Sequence, residues 1–312
     1  MAQFTTANAI GEREDLSDVI TRIDPDETPI FSALKKETGN GVFVEWQVQE
    51  LAAASATNYQ NEGADATYDT PTATTRLGNY MQISQKDAQV SGTLDAVDKA
   101  GRDKEVAYQK VLKGLELRRD IEKYLHSDTA RSASDPRKAG TLSSWITNVD
   151  DATGTSAATG DGTDVPDMSG TNRALTLAQI DTAMQAAYTD GGQPNMLVVS
   201  PAKKAAFSDL NSGSVATNQI NYTAPREAAI VGSVSLYLSD FGQLDVVIDR
   251  FASDDRVYLL DSDYASVCTL PNRNFTVQEM AKTGDSEKFQ IITEWTLKVS
   301  APKAHAAVYD LS

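Results

Sequence analysis

Histidine and cysteine are nearly missing from this chain, with two of the first and one of the second in 312 residues. A single cysteine excludes an internal disulfide and any zinc site built from cysteine pairs. Cys268 lies in the apolar run ASVCTL, which predicts a buried, inert thiol. With only His126 and His305, a histidine metal centre or a catalytic triad has little to draw on. His126 ends a helical pattern, where a cation suits the helix dipole. His305 falls in a strand pattern, in a packing or contact role.

Long apolar runs are missing as well. Nothing approaches the roughly 20 residues of a membrane helix. The first residues, MAQFTTANAIGERED, lack a basic start followed by an apolar block, so no secretory signal is expected. Positive charge is scarce: 28 Lys and Arg stand against 44 Asp and Glu, a net charge of -16. Tight phosphate binding needs clustered cations. Here only pairs occur, Lys35-Lys36, Arg118-Arg119 and Lys203-Lys204, which read as solvated faces.

The motifs of catalysis are absent too. There is no phosphate-binding glycine loop, no dinucleotide fingerprint and no nucleophile elbow. Acidic clusters occur at Asp150-Asp151, at Asp161, Asp164 and Asp167, and at Asp261 with Asp263. None has calcium-loop spacing, and solvated acidic loops are the plainer reading. A carboxylate pair for glycoside hydrolysis is a matter of spatial separation, and nothing in the order of residues points to one. No catalytic, cofactor-binding or metal-ligating residue is nominated.

What is present begins with 95–127, proline-free and dense in strong helix formers. One apolar stripe runs through Val97, Ala100, Ala107, Tyr108, Val111, Leu112 and Leu115. A second runs through Leu117, Ile121, Tyr124 and Leu125. Asp95 is the expected N-cap, and the expected charge pairs are Glu116–Arg119, Arg118–Glu122 and Asp120–Lys123. One helix of that length would run roughly 50 Å.

Before it, 1–40 reads as an arm. Leu16, Val19, Ile20 and Ile23 form a short helical face, and Ile30, Phe31 and Leu34 form a patch that needs another surface to cover it. Val42, Val44, Trp46 and Val48 alternate with polar residues, and 74–90 is again strand-like. The small, polar stretch 52–71 lies between them, with a turn at Glu62-Gly63. An extended hairpin with one apolar face follows, marginal alone and in search of support.

After it, 148–172 reads as a long mobile loop. Helices are expected over 175–188, with Thr176 as N-cap, and from Ser200-Pro201 to about 210. Strands are expected over 196–199, 234–238, 245–248, 256–260, 275–280, 288–300 and 304–311. The fold class is α+β. A catalytically bare, acidic chain with outreaching limbs has the anatomy of a self-assembling structural protein.

Several strings resemble the major capsid proteins of tailed bacteriophages, most of all the SU10-like subgroup with elongated heads. They are DVITRIDPDETPIFSAL (18–34), VEWQVQELAAASAT (44–57), NEGADAT (61–67), TTRLGNYMQIS (74–84), SGTLDAVDKAGR (91–102), AYQKVLKGLELRRDIE (107–122) and SAPKAHAAVYDL (300–311). The series spans nearly the whole chain.

The resemblance implies the Hong Kong 97-type capsid fold. In that mapping 1–40 is the N-terminal arm and 41–92 the extended loop. Residues 93–172 and 256–312 form the peripheral domain, with a spine helix over 95–127, and 173–255 form the axial domain. It implies pentamers and hexamers of this one chain enclosing double-stranded DNA, held only weakly. It also implies a portal at one vertex and a decoration or scaffolding protein, with no cofactor and no membrane. Assembly would take place in the bacterial cytoplasm. Trp46, Glu62, Arg76, Lys86, Arg118 and Arg119 are the candidate contacts between copies.

Some relatives carry a scaffolding domain ahead of the arm. Here the arm pattern begins by residue 16, so a separate scaffold or a removed prefix is expected. No covalent Lys–Asn crosslink is assigned. Competing readings are a tail-tube or decoration protein, which would form rings or trimers, and an acidic carbohydrate-active module, which would be monomeric.

Overall fold

The strand expected over 288–300 is the backbone of the first sheet, and much of the chain is arranged along it. In the computed structural model, residues 24–66, 68–152, 156–213 and 235–312 are described. The arm face at Leu16, Val19, Ile20 and Ile23 lies outside these residues. In chain order the elements are α1 (Pro29–Ala33), β1 (Lys35–Thr38), β2 (Phe43–Val48), β3 (Thr75–Tyr80), β4 (Gln82–Ser91), α2 (Gly92–Ala96) and α3 (Glu105–Leu125). Then follow β5 (Asn148–Asp150), α4 (Leu177–Thr189), β6 (Met196–Val199), α5 (Pro201–Gly213), β7 (Leu236–Ser239) and β8 (Gly242–Ile248). The tail gives β9 (Val257–Leu260), β10 (Ala265–Thr269), β11 (Thr276–Met280), β12 (Ser286–Val299) and β13 (Ala306–Val308).

Strand β12 pairs antiparallel with β10 and β11 along one edge and with β4 along the other. Because it is central, its polar positions Thr293, Glu294 and Thr296 are buried as well as its apolar ones. β1 adds in parallel to β10, a pairing that the polar string KKET did not announce. The second sheet runs β5-β13-β9-β6-β8-β7. It takes β9 and β13 from the tail expected to return whole to the first region. Helix α4 packs on this sheet, in a core of Ile180, Met184, Leu197, Phe207, Leu244 and Leu259.

The helices of the second region begin as their sequences dictate. Thr176 and Gln179 make a reciprocal capping box at α4. The Ser200 hydroxyl accepts from the Lys203 N–H at 3.2 Å, with Pro201 first in α5.

The long helix differs from expectation. It is broken into α2 and α3, leaving 21 helical residues in α3, roughly 30 Å. Val97 is extended, and Gly101 adopts φ +78°, a conformation that glycine alone adopts freely. Asp95 does cap a helix, but from a distance: its Oδ1 accepts from Glu105 N at 2.9 Å and Val106 N at 3.3 Å, at the start of α3. Of the two expected stripes, the second is buried at Leu117, Ile121 and Leu125, while Val97 and Val111 of the first are exposed.

The expected charge pairs along the helix give way to others. Glu116 pairs with Lys113, Asp120 reaches Lys86 at 2.7 Å, and Glu122 is buried.

Candidate assembly surfaces

The β2–β3 hairpin has two parts with different surroundings. At its base, Trp46 faces Leu77 across the strands, and Val44, Trp46 and Val48 turn into the main core. The Trp46 ring lies 5.2 Å from that of Trp145, which is fully buried. Asn79, also buried, bonds through Nδ2 to the carbonyls of Gly140 and Leu297 at 3.1 and 2.7 Å. These contacts supply the support that an isolated two-stranded ribbon lacks.

Residues 142–144 form a 3-10 turn with all three side chains buried. The stretch 148–172, expected as a mobile loop, instead packs against this corner in its described residues. Gly162 donates to Ser144 O and accepts from Arg131 N, and a Cβ at Gly162 would come 2.6 Å from the Trp145 indole. The small residues there allow backbone to approach a ring.

Beyond the base, the described residues of 49–74 form an exposed connection with no strand or helix. Leu51, Tyr59 and Tyr68 are 97%, 78% and 90% exposed. The turn at Glu62-Gly63 is present, with Gly63 at φ +79°. Three large apolar side chains left in water on one loop are a cost unless something covers them. The other uncovered apolar positions include Val111 on α3 and Leu238 on β7, at the edge of the second sheet.

The six candidate contacts divide. Trp46 keeps its strand alternation, and within the lone subunit its ring is buried against Trp145. Glu62 stands exposed on the projecting loop. Arg76 is at the root of that loop, paired with Glu45 at 3.1 Å and largely exposed.

Lys86, on β4, is engaged with Asp120 of α3. Arg118 turns inward to the arm, bonding Thr28 Oγ1 at 3.2 Å and Ser32 Oγ at 3.3 Å with its guanidinium over the Phe31 ring. Arg119 lies over the Phe251 ring. Glu62 and Arg76 thus belong to the exposed limb and its root, Trp46 is buried, and Lys86, Arg118 and Arg119 are half-buried with partners in their own subunit.

Composition also missed what α3 holds. Among the described residues one group of three side chains with metal-ligand chemistry comes together: Glu122, His126 and Asp249, all buried. His126 is the C-cap of α3, as expected, and is also a buried partner of Asp249. His305 is buried, and its Nδ1 accepts from Asp261 N at 3.1 Å; burial pushes its pKa down to about 4. Burial likewise raises the pKa of the Cys268 thiol, as expected of an inert cysteine. Of the acidic clusters, Asp161 and Asp164 spend their oxygens on Thr159 and Thr163, and Asp263 pairs with Lys35. A cavity of about 520 Å³ beside α5 is lined by Ala174, Leu175, Lys203 and Leu210, and Lys203 closes onto the backbone of Ser312.

The same arrangement is found in known shell proteins. The chain is 26% identical to the major capsid protein of Escherichia phage Phieco32, over 98% of this chain and 96% of that one. Its fold matches the capsid asymmetric unit of Cyanophage A-1(L), with TM-score 0.69 and 15% identity over 98% of each chain. It also matches Mycobacterium phage Ogopogo, with TM-score 0.63 and 11% identity over 99% and 100%. A third match is the capsid of a native GTA particle, at 0.65 and 10% over 98% of each. These neighbours share the Hong Kong 97-type capsid fold, with a mixture of helix and sheet as expected. The family model for the SU10 major capsid protein matches residues 2–312, and the chain belongs to that family of phage shell proteins.

Proposed function

We propose that copies of this chain associate as hexamers and pentamers into a closed shell around double-stranded DNA, the projecting loop of each subunit reaching over α3 of the next. One observation carries this reading: Leu51, Tyr59 and Tyr68 lie on a limb that its own subunit leaves uncovered. The outer side of α3 offers a matching surface, with Val111 62% exposed and no atoms within 4 Å of a Cβ placed on Gly114. Obligate interfaces of this kind bury on the order of thousands of Å².

In this reading 1–40 is the arm, 41–92 the extended loop, 173–255 the core of the axial domain, and the remainder the peripheral domain with α3 as its spine. Assembly takes place in the bacterial cytoplasm, with a portal at one vertex and a decoration or scaffolding protein as the other partners. The net charge of -16 keeps contact with the packaged DNA weak. The chain acts as a wall and not as an enzyme. Among the described residues, no helix is long and apolar enough to cross a membrane.

The test is replacement of 50–73 by a short Gly-Asn turn. Circular dichroism should show a folded subunit, while light scattering and negative-stain microscopy should show no shells. Normal shells from that variant would sink the reading. Rings or trimers from the unaltered chain would favour a tail or decoration role instead.

A further inference from the structure

Glu122 and His126 stand one turn apart on α3, and Asp249 meets them from just beyond β8, with atoms of all three groups within 4.8 Å of one another. His126 Nε2 lies 2.6 Å from Asp249 Oδ2, and a carboxylate oxygen of Glu122 lies within 4.8 Å of both groups. The arm supplies the remaining partners. Ile30 N–H and Phe31 N–H donate to the two oxygens of Glu122 at 2.7 and 2.8 Å. The other oxygen of Asp249 accepts from Phe251 N at 2.8 Å.

Two carboxylates and a histidine have the composition of a metal site, but the contacts argue against one. Every carboxylate oxygen already accepts a hydrogen bond. An ion about 2 Å from both Nε2 and Oδ2 would also force that 2.6 Å pair apart. What the cluster needs is a proton. Two adjacent acids shut away from water do not both ionise, and the His126 ring, 2.6 Å from Asp249, favours the charge on that acid.

We propose that Glu122, Asp249 and His126 form a proton-sharing latch: Asp249 is ionised against His126, Glu122 keeps the proton between the two acids, and Glu122 so held positions the arm through Ile30 and Phe31. This concerns the folded chain alone and does not rest on how copies assemble.

The electrostatics agree. Burial, then Asp249, pushes Glu122 up to about 8 from its ordinary 4.5. Burial is the largest single influence on Asp249 and pushes it up, but the bond to His126, the charge of that ring and the Phe251 N–H, with Glu122, together outweigh it and hold the acid low.

The neighbouring charges come from each packed element. Beside α1, Lys36 bonds Phe31 O and sits 3.5 Å over its ring. On α3, Arg118 and Arg119 stack on Phe31 and Phe251, and Lys123 bonds Phe251 O. From β9, Tyr258 stacks on His126 and touches Arg256, which pairs with Asp128 and Asp255.

For an acid with a raised pKa, the stabilisation is whole below 4.5 and drains as pH rises to about 8. Lys36 acts in another window. Burial and Arg118 bring it down to about 8 from 10.5, so its effect is to strengthen the fold as pH climbs above about 8.

The experiment is hydrogen exchange at the Ile30 and Phe31 amides of the full chain, corrected for intrinsic exchange, from about pH 5 to 9, with isotope-edited infrared spectra of Glu side chains. The opening constant should rise with pH by up to about tenfold per unit and level off near 8. A protonated-carboxyl band should be present at about pH 6 and absent in Glu122→Gln, whose exchange profile is flat. Asp249→Asn should shift the rise to lower pH, and serves if Glu122→Gln does not fold. A flat profile in the unaltered chain, no protonated Glu band, or stoichiometric metal in the purified protein would overturn the latch.

Discussion

At its base the β2–β3 hairpin buries Val44, Trp46 and Val48 in its own subunit, whereas 49–74 holds Leu51, Tyr59 and Tyr68 in water. Strict alternation marks the base: a period of two places one whole face against a single flat support. The tip has apolar side chains without a period, so no single face forms to lie on a flat support. Order and exposure thus separate within one limb. The base anchors and the tip reaches.

The largest effect should come from breaking the anchor. Trp145→Ala removes a fully buried ring that touches Trp46 and should cost about 3–5 kcal/mol in urea unfolding. Trp46→Ala should cost about 3 kcal/mol in the same measurement. A Trp46→Ala subunit of undiminished stability that no longer assembles would restore Trp46 to the interface and erase the contrast. Next in size is Gly162→Ala, at φ +80° against the same indole, which should cost about 1–3 kcal/mol by lowering the urea midpoint. Leu51→Ser, Tyr59→Ser and Tyr68→Ser should each shift stability by only about 0.5 kcal/mol. Combined, they should depress shell yield in scattering assays.

What could be read from the sequence follows the range of the forces involved. Thr176 with Gln179, and Ser200 with Pro201, are decided within a few residues, and each is where its sequence put it. The break at 97–104 was masked by the strong helix formers that follow it, although Val97, Asp98, Gly101 and Asp103 are themselves weak ones. The agent that starts α3 is Asp95, ten residues before the amide it caps. β1 was invisible because a four-residue polar strand has no period to show, and its partner β10 lies more than two hundred residues away. The candidate contacts fared unevenly for a related reason. Periodicity tells that Trp46 faces something apolar but not whose surface it is, and Arg118 looked solvated until the arm came to rest beside it. Glu122 gave no signal, since a buried acid and a solvated one are the same letter.

The smallest expected effect tests the remaining side of the comparison, the charged rim of α3. Lys86 and Asp120 lie 2.7 Å apart with their side chains 30% and 53% exposed. Water screens such a pair, and fixing two flexible side chains offsets much of the attraction. A double-mutant cycle through Lys86→Ala and Asp120→Ala should therefore give a coupling of about 0.2–1 kcal/mol, shrinking further in added salt. The same variants should assemble as well as the unaltered chain, because a side chain already paired within its own subunit has little left for a neighbour. A shell defect in Lys86→Ala with subunit stability intact would show that the rim, and not only the projecting loop, meets the next copy. The division between anchoring and reaching parts would then have to be drawn through α3 as well as through the hairpin.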